Sequence, residues 1–244
     1  MNIITYRLSL MMYLFIVLFT LSGCDQTTAS YRMHPEFVSR SQSIRSARLV
    51  SPDVKIYEIS AGGLRELMDD WSAQGKDNLL KLSMDNFKQK GFVASELTPT
   101  KDIEAELENV RALYRVVSGS IQLHTFGPQL FPEKVKNFDY SIGSIENILK
   151  ACNADSLILI HGSDEISTQG RKAMLAAGAA VTLLTGRSVA SQRAGVTSIE
   201  VALIDRTGAV LWYKPLKGQY DLRETDSAKL ILSELFKDFP EAKR

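Results

Sequence analysis

The chain reads as an α/β protein: a mixed sheet of about five strands, ending in a hairpin, with helices packed on it. Three observations predict this. Ile199 to Ile204 and Val210 to Tyr213 are β-rich runs on either side of Asp205-Arg-Thr-Gly208, the pattern of a hairpin. Ser156 to Ile160 (SLILI) is apolar without alternation, as in a strand covered on both faces. Elsewhere apolar residues recur every three or four positions, which marks amphipathic helices. Helices interleaved with strands are accommodated by a mixed sheet with helices laid on it.

The elements follow in order. Val54 to Ile59 alternates and is rich in β-formers, so it is a strand, broken by Ser60-Ala-Gly-Gly63. Ser72 to Lys90 is a helix with Leu80, Met84 and Phe87 on one face, Lys88 and Lys90 at its negative end and Gly91 placed for a left-handed cap. Phe92 to Ala94 is a short strand. Lys101 to Val117 sets Ile103, Leu107, Val110, Tyr114 and Val117 on one helical stripe. Gly127 to Asp139, with Pro128 and Pro132, is a loop. Ser141 to Cys152 is a helix resting on Ile142, Ile145, Leu149 and Cys152, and it leads into the buried strand. Ile166 to Leu184 is helical in pattern, and Gly186 to Gly195 is polar. Thr225 is placed to cap a last helix carrying Ala228, Ile231, Leu235 and Phe239, stopped by Pro240. Together these make one domain over residues 49–240.

The first residues are of another kind. Arg7 precedes a 14-residue run, Leu8 to Leu21, apolar but for Ser9 and Thr20. That run is short of the about 20 residues a membrane-spanning helix needs, and its charge and exit residues suit a secretory signal. Leu21-Ser22-Gly23-Cys24 resembles the bacterial lipobox. The resemblance implies removal of residues 1–23, acylation of Cys24 (palmitate among the acyl groups) and attachment to a membrane facing the periplasm. Asp25 resembles a signal for retention at the inner membrane, and both membranes stay open. Residues 24–48 are polar and lack apolar periodicity, so they read as the lipidated cysteine and a flexible tether. Arg32, Arg40, Arg45 and Arg48 could then meet anionic headgroups.

Composition narrows the function. A 45% hydrophobic, 23% charged chain with formal charge +1 is ordinary for a globular protein and lacks the basic footprint of a nucleic-acid binder. There are two cysteines, and acylation of Cys24 leaves Cys152 without an internal partner. The domain is then held by its core rather than by a disulfide. Gly-x-Ser-x-Gly and Gly-x-Gly-x-x-Gly are absent. Thr185-Gly186-Arg187-Ser188 imitates only the end of a phosphate loop, with arginine for lysine.

Some residues invite a chemical reading. His161-Gly-Ser-Asp164-Glu165 follows the buried strand, where α/β sites gather, and could supply zinc ligands or acid–base groups. The blander reading is a strand end and a turn. With only His34 and His124 besides, no metal is expected. Asp69-Asp70 reads as a solvated helix entry, and Trp71 and Trp212 as half-buried aromatics or sugar-stacking platforms. Ala173 to Gly186 is apolar nearly all round, with small residues four apart, Ala176 and Ala180 or Gly178 and Thr182 among them. It reads as a core helix pressed on the sheet, as a subunit contact, or as a lipid contact.

Three stretches carry a family resemblance: Cys152-Asn-Ala-Asp155-Ser-Leu-Ile-Leu-Ile160, Val201-Ala-Leu-Ile-Asp205-Arg-Thr-Gly208-Ala-Val-Leu-Trp212, and Asp221 to Ala228 with Phe239-Pro240. They are similar to the periplasmic α/β domain shared by the curli secretion lipoprotein, the amino-terminal domain of TolB and lipoprotein activators of penicillin-binding proteins. Asn153 replaces the usual glycine. The resemblance implies a non-enzymatic interaction or assembly factor of the cell envelope and no catalytic residue. The expected partners are the membrane, through the acyl anchor, and envelope proteins or a second copy. No nucleic acid, small-molecule substrate or cofactor is expected beyond the lipid on Cys24. The interaction residues this points to are Ala176, Gly178, Ala180 and Trp212. The alternatives are an oligomeric secretion or pore component, and a hydrolase using His161, Asp164 and Glu165.

Overall fold

The computed structural model describes residues 30–90, 93–186 and 195–240. The signal segment, Cys24, Asp25, the Gly91 cap and most of the polar stretch before Gly195 lie outside them. The order is β1 (Arg32–Met33), α1 (Phe37–Ser41), β2 (Ser46–Leu49), β3 (Asp53–Ile59), β4 (Arg65–Leu67), α2 (Asp69–Gln89), β5 (Val93–Glu96) and α3 (Lys101–Ile121). A π-helical turn (Gln122–Phe126) follows, then α4 (Pro132–Lys136), α5 (Glu146–Cys152), β6 (Ser156–Ser167), α6 (Gln169–Thr185), β7 (Thr197–Asp205), β8 (Val210–Gly218) and α7 (Thr225–Phe236).

All eight strands join one mixed sheet whose axis is β6. Along one side β6 runs antiparallel to β7, which pairs with β8, and β8 with β1. Along the other side two strands share it in succession. β2 pairs with residues 156–158 and β3 with residues 161–167, both parallel. β5 borders β2 and β4 borders β3.

Alternation on β6 divides the core in two. Ile158 and Ile160 face α2 and α7, packing with Leu79, Phe87, Ile231, Leu235 and Phe236. Leu157 and Leu159 face α3 and α5, packing with Val110, Tyr114, Ile148 and Leu149. Gly75 lets α2 settle on β3, since a Cβ there would lie 2.8 Å from Ile56 Cδ1. The hairpin turn is held by Asp205, whose Oδ1 accepts from Thr207 N at 2.9 Å and Ala209 N at 3.1 Å, with Gly208 at φ 80°.

The class agrees with the sequence reading, but there are eight strands where about five were expected. The additions are short: β1 has two residues, β4 three and β2 four. Strands that short show no periodicity. They also correct the tether, because residues 30–48 are part of the fold. Arg32 is buried, donates to Thr125 O at 2.6 Å and lies over the Phe126 ring. Arg40 pairs with Glu36 and Asp205, and Arg48 donates to Cys152 O. These three arginines serve the fold rather than headgroups.

Other boundaries move for local reasons. β6 continues through the polar residues to Ser167, so α6 starts at Gln169, where Thr168 Oγ1 caps it by accepting from Arg171 N. Residues before α5 form a bridge and a loop rather than helix, with Ser141 bridged to Ala209, Ile142 N bonded to Gly208 O and Gly143 at φ 80°, and Asn153 ends that helix in the left-handed region at φ 49°. Thr225 is the first residue of α7 rather than its cap. Among the described residues no helix is long and apolar enough to cross a membrane.

Candidate functional site

Two regions stand apart from the core. The first is a cleft of about 260 Å³ over the far half of β6, beyond the end of the α3 cover. On this face the register sets Asp53, His161 and Glu200 side by side on β3, β6 and β7, and Lys55, Ser163 and Ser198 in the next row. Arg115 and Gln122 overhang from one side and Arg65 from the other. Arg65 stacks over Tyr57 at 4.1 Å and pairs with Glu165 at 3.0 Å.

Beneath the cleft lies a buried carboxylate. Glu200 is 2% exposed and receives His161 Nδ1 at 2.7 Å, Ser118 Oγ at 2.7 Å and Gln122 Nε2 at 3.2 Å. A buried charge needs such a set of donors. Ser118 Oγ also lies 2.9 Å from the Tyr213 hydroxyl. Burial depresses the basicity of His161. The hydrogen bond and charge of Glu200, with Asp53 adding and Arg115 opposing, outweigh this and leave His161 above its ordinary 6.5. The Tyr114 ring meets it edge-on. Burial and the Glu200 charge hold the Tyr213 phenol well above its usual range.

The proposed hydrolytic trio is not assembled. Strand alternation sends His161 and Asp164 to opposite faces. Asp164 is fully buried, accepting from Thr197 Oγ1 at 2.8 Å and Leu222 N at 2.9 Å. Glu165 turns to Arg65. His34 and His124 are occupied elsewhere, by Glu36 N and the Tyr140 hydroxyl. Among the described residues no group of three His, Cys, Asp or Glu could hold a metal ion. Asp69 and Asp70 are exposed in the first turn of α2, where the helix dipole favours them. Trp71 is covered by the Arg223 guanidinium at 3.9 Å. Nothing in the sequence singles out Glu200, which sits beneath the cleft, except that it is a carboxylate inside IEVALI.

The second region is α6. It is not a core helix. Arg171 is its one buried residue, and the half-buried Leu175, Gly178 and Thr182 continue a narrow inward stripe. A Cβ on Gly178 would meet nothing within 4 Å, so no close approach requires glycine there. Ala176 and Ala180 are exposed. Leu183 and Leu184 are each 86% exposed, with Met174 at 50%. Trp212 is corrected in the other direction. It is fully buried between Tyr31 and Phe239 and offers no contact surface.

No family model matches the chain, and no curated protein matches it. Among solved structures, the PelC dodecamer from Paraburkholderia phytofirmans is 12% identical, with TM-score 0.39 over 88% of this chain and 96% of that one. The LpoB C-terminal domain from Salmonella enterica is 11% identical, with TM-score 0.27 over 77% and 95%. Likenesses this remote assign neither family nor function.

Proposed function

We propose that the chain is a lipid-anchored envelope lipoprotein whose folded domain binds another envelope protein through α6 and performs no chemistry of its own. The observation that carries the reading is the outward apolar face of α6, with Met174, Val181, Leu183 and Leu184 in solvent. Isolated apolar residues on a surface need no explanation, but a helix turned apolar side out does. The lipobox-like Leu21-Ser22-Gly23-Cys24 supports the location. Insertion of α6 into a bilayer is the weaker reading. Its 17 residues extend about 25 Å, against about 30 Å of hydrocarbon.

A photo-crosslinking residue at position 183 or 184 tests this in intact cells. A protein adduct is expected from these positions and not from exposed Lys229 on α7. An adduct at twice the chain's mass would identify a second copy as the partner. Lipid adducts alone, or none, overturn the interaction reading. Cys24→Ser should move the protein out of the membrane fraction, and unchanged fractionation refutes the anchor.

A further inference from the structure

The cleft over β6 is independent of α6, and the interaction reading makes no use of it. Its floor is three strands wide, so each row of side chains spans roughly 10 Å. Lys55, Arg65 and Arg115 line it, and with Arg115 paired to Asp53 and Arg65 to Glu165, Lys55 is the cation left uncompensated among the described residues. The carboxylates are already committed, Asp53 to Arg115 at 3.1 Å and Glu200 to its three donors below. Lys55 is exposed and forms no ion pair among the described residues. His161 has its Nδ1 on Glu200, so Nε2 is the ring atom left for the cleft, and the side chain is 29% exposed there. Ser163 and Ser198 add two hydroxyls between these cations.

We propose that this cleft binds a phosphate group, held by Lys55 and Arg115 and hydrogen-bonded by His161 Nε2, Ser163 and Ser198. A tetrahedral oxyanion offers more acceptor positions than a carboxylate and so matches a ring of five donor groups. Its negative charge also meets the Lys55 ammonium, which has no carboxylate partner among the described residues. Glu200 fixes the ring through Nδ1 and raises its basicity, and an anion at Nε2 favours the doubly protonated ring in which Nε2 donates. The volume lies below the about 300–1,000 Å³ of pockets for drug-sized ligands, which suits a single charged head. Free phosphate monoesters and lipid headgroups present this same chemistry.

The test is calorimetric titration of the purified full chain in nonionic detergent with inorganic phosphate and with glycerol 3-phosphate. Nanodiscs of phosphatidylglycerol, set against phosphatidylcholine, form a second arm. Saturable binding is expected, and Lys55→Ala should weaken it about tenfold, the worth of one charge-assisted contact. Ser198→Ala should weaken it less, and Lys229→Ala on α7 not at all. Binding by the free phosphates identifies a soluble ligand, and binding by phosphatidylglycerol discs alone identifies a headgroup. Either result supports the site if Lys55→Ala weakens the binding by that factor. Absence of saturable binding in both arms, or binding indifferent to Lys55→Ala and Arg115→Ala, overturns it. Thermal unfolding of each variant, expected unchanged for exposed Lys55, separates lost binding from lost fold.

Discussion

Replacing Ser118 by alanine probes the relay beneath the cleft. Ser118 is 1% exposed, with its Oγ 2.7 Å from Glu200 Oε1 and 2.9 Å from the Tyr213 hydroxyl. A hydroxyl carries one proton, so Ser118 donates to the carboxylate and accepts from Tyr213. Ser118→Ala removes one of three donors from a buried charge, at about 2 kcal/mol, and strands a buried phenol, at about 1 kcal/mol more. Tyr213→Phe alone gives up a neutral bond, about 1 kcal/mol. The double variant has no phenol to strand, so it should cost about 2 kcal/mol, about 2 kcal/mol less than the two singles together. Urea unfolding followed by tryptophan fluorescence measures all three, with m-values held constant as the check on two-state behaviour. Costs that add to within about 0.5 kcal/mol would show that Tyr213, Ser118 and Glu200 are not a relay.

Asn153 holds φ 49° at the end of α5. Asn153→Ala should lose about 1 kcal/mol from the left-handed backbone while Asn153→Gly loses little or gains, and a thermal scan in which both behave alike would contradict the strain. His161 titrates above 6.5 in the folded chain, so its pairing with Glu200 contributes fully below that pH. The contribution is lost as pH rises through the higher, folded value. Unfolding free energy should therefore decline over that interval in the native chain and not in His161→Gln, and a flat native profile would count against the pair.

The parts legible in sequence are those whose pattern is set by the residues' own layer. The stripe Ile103, Leu107, Val110, Tyr114 predicts a helix because one sheet face covers all four, and they are buried as expected. The Asp205 turn is likewise local, since its carboxylate bonds residues two and four ahead. β6 was readable only to Ile160, because its second half faces the cleft and is polar, and polar residues hide a strand that its neighbours β3 and β7 enforce. α6 misled for the opposite reason. An apolar helical pattern looks the same whether its own sheet or another molecule is to cover it. Glu200 was invisible because its burial comes from α3 crossing above, a tertiary fact that five apolar neighbours do not encode.

The pairing of β1 with β8 shortens the leash. Arg32 is fixed by Thr125 O and Phe126, and it stands eight chain steps from Cys24. Even drawn straight they reach about 28 Å. A body fastened at Cys24 would skim the bilayer it sits on, too closely bound to visit the opposite membrane.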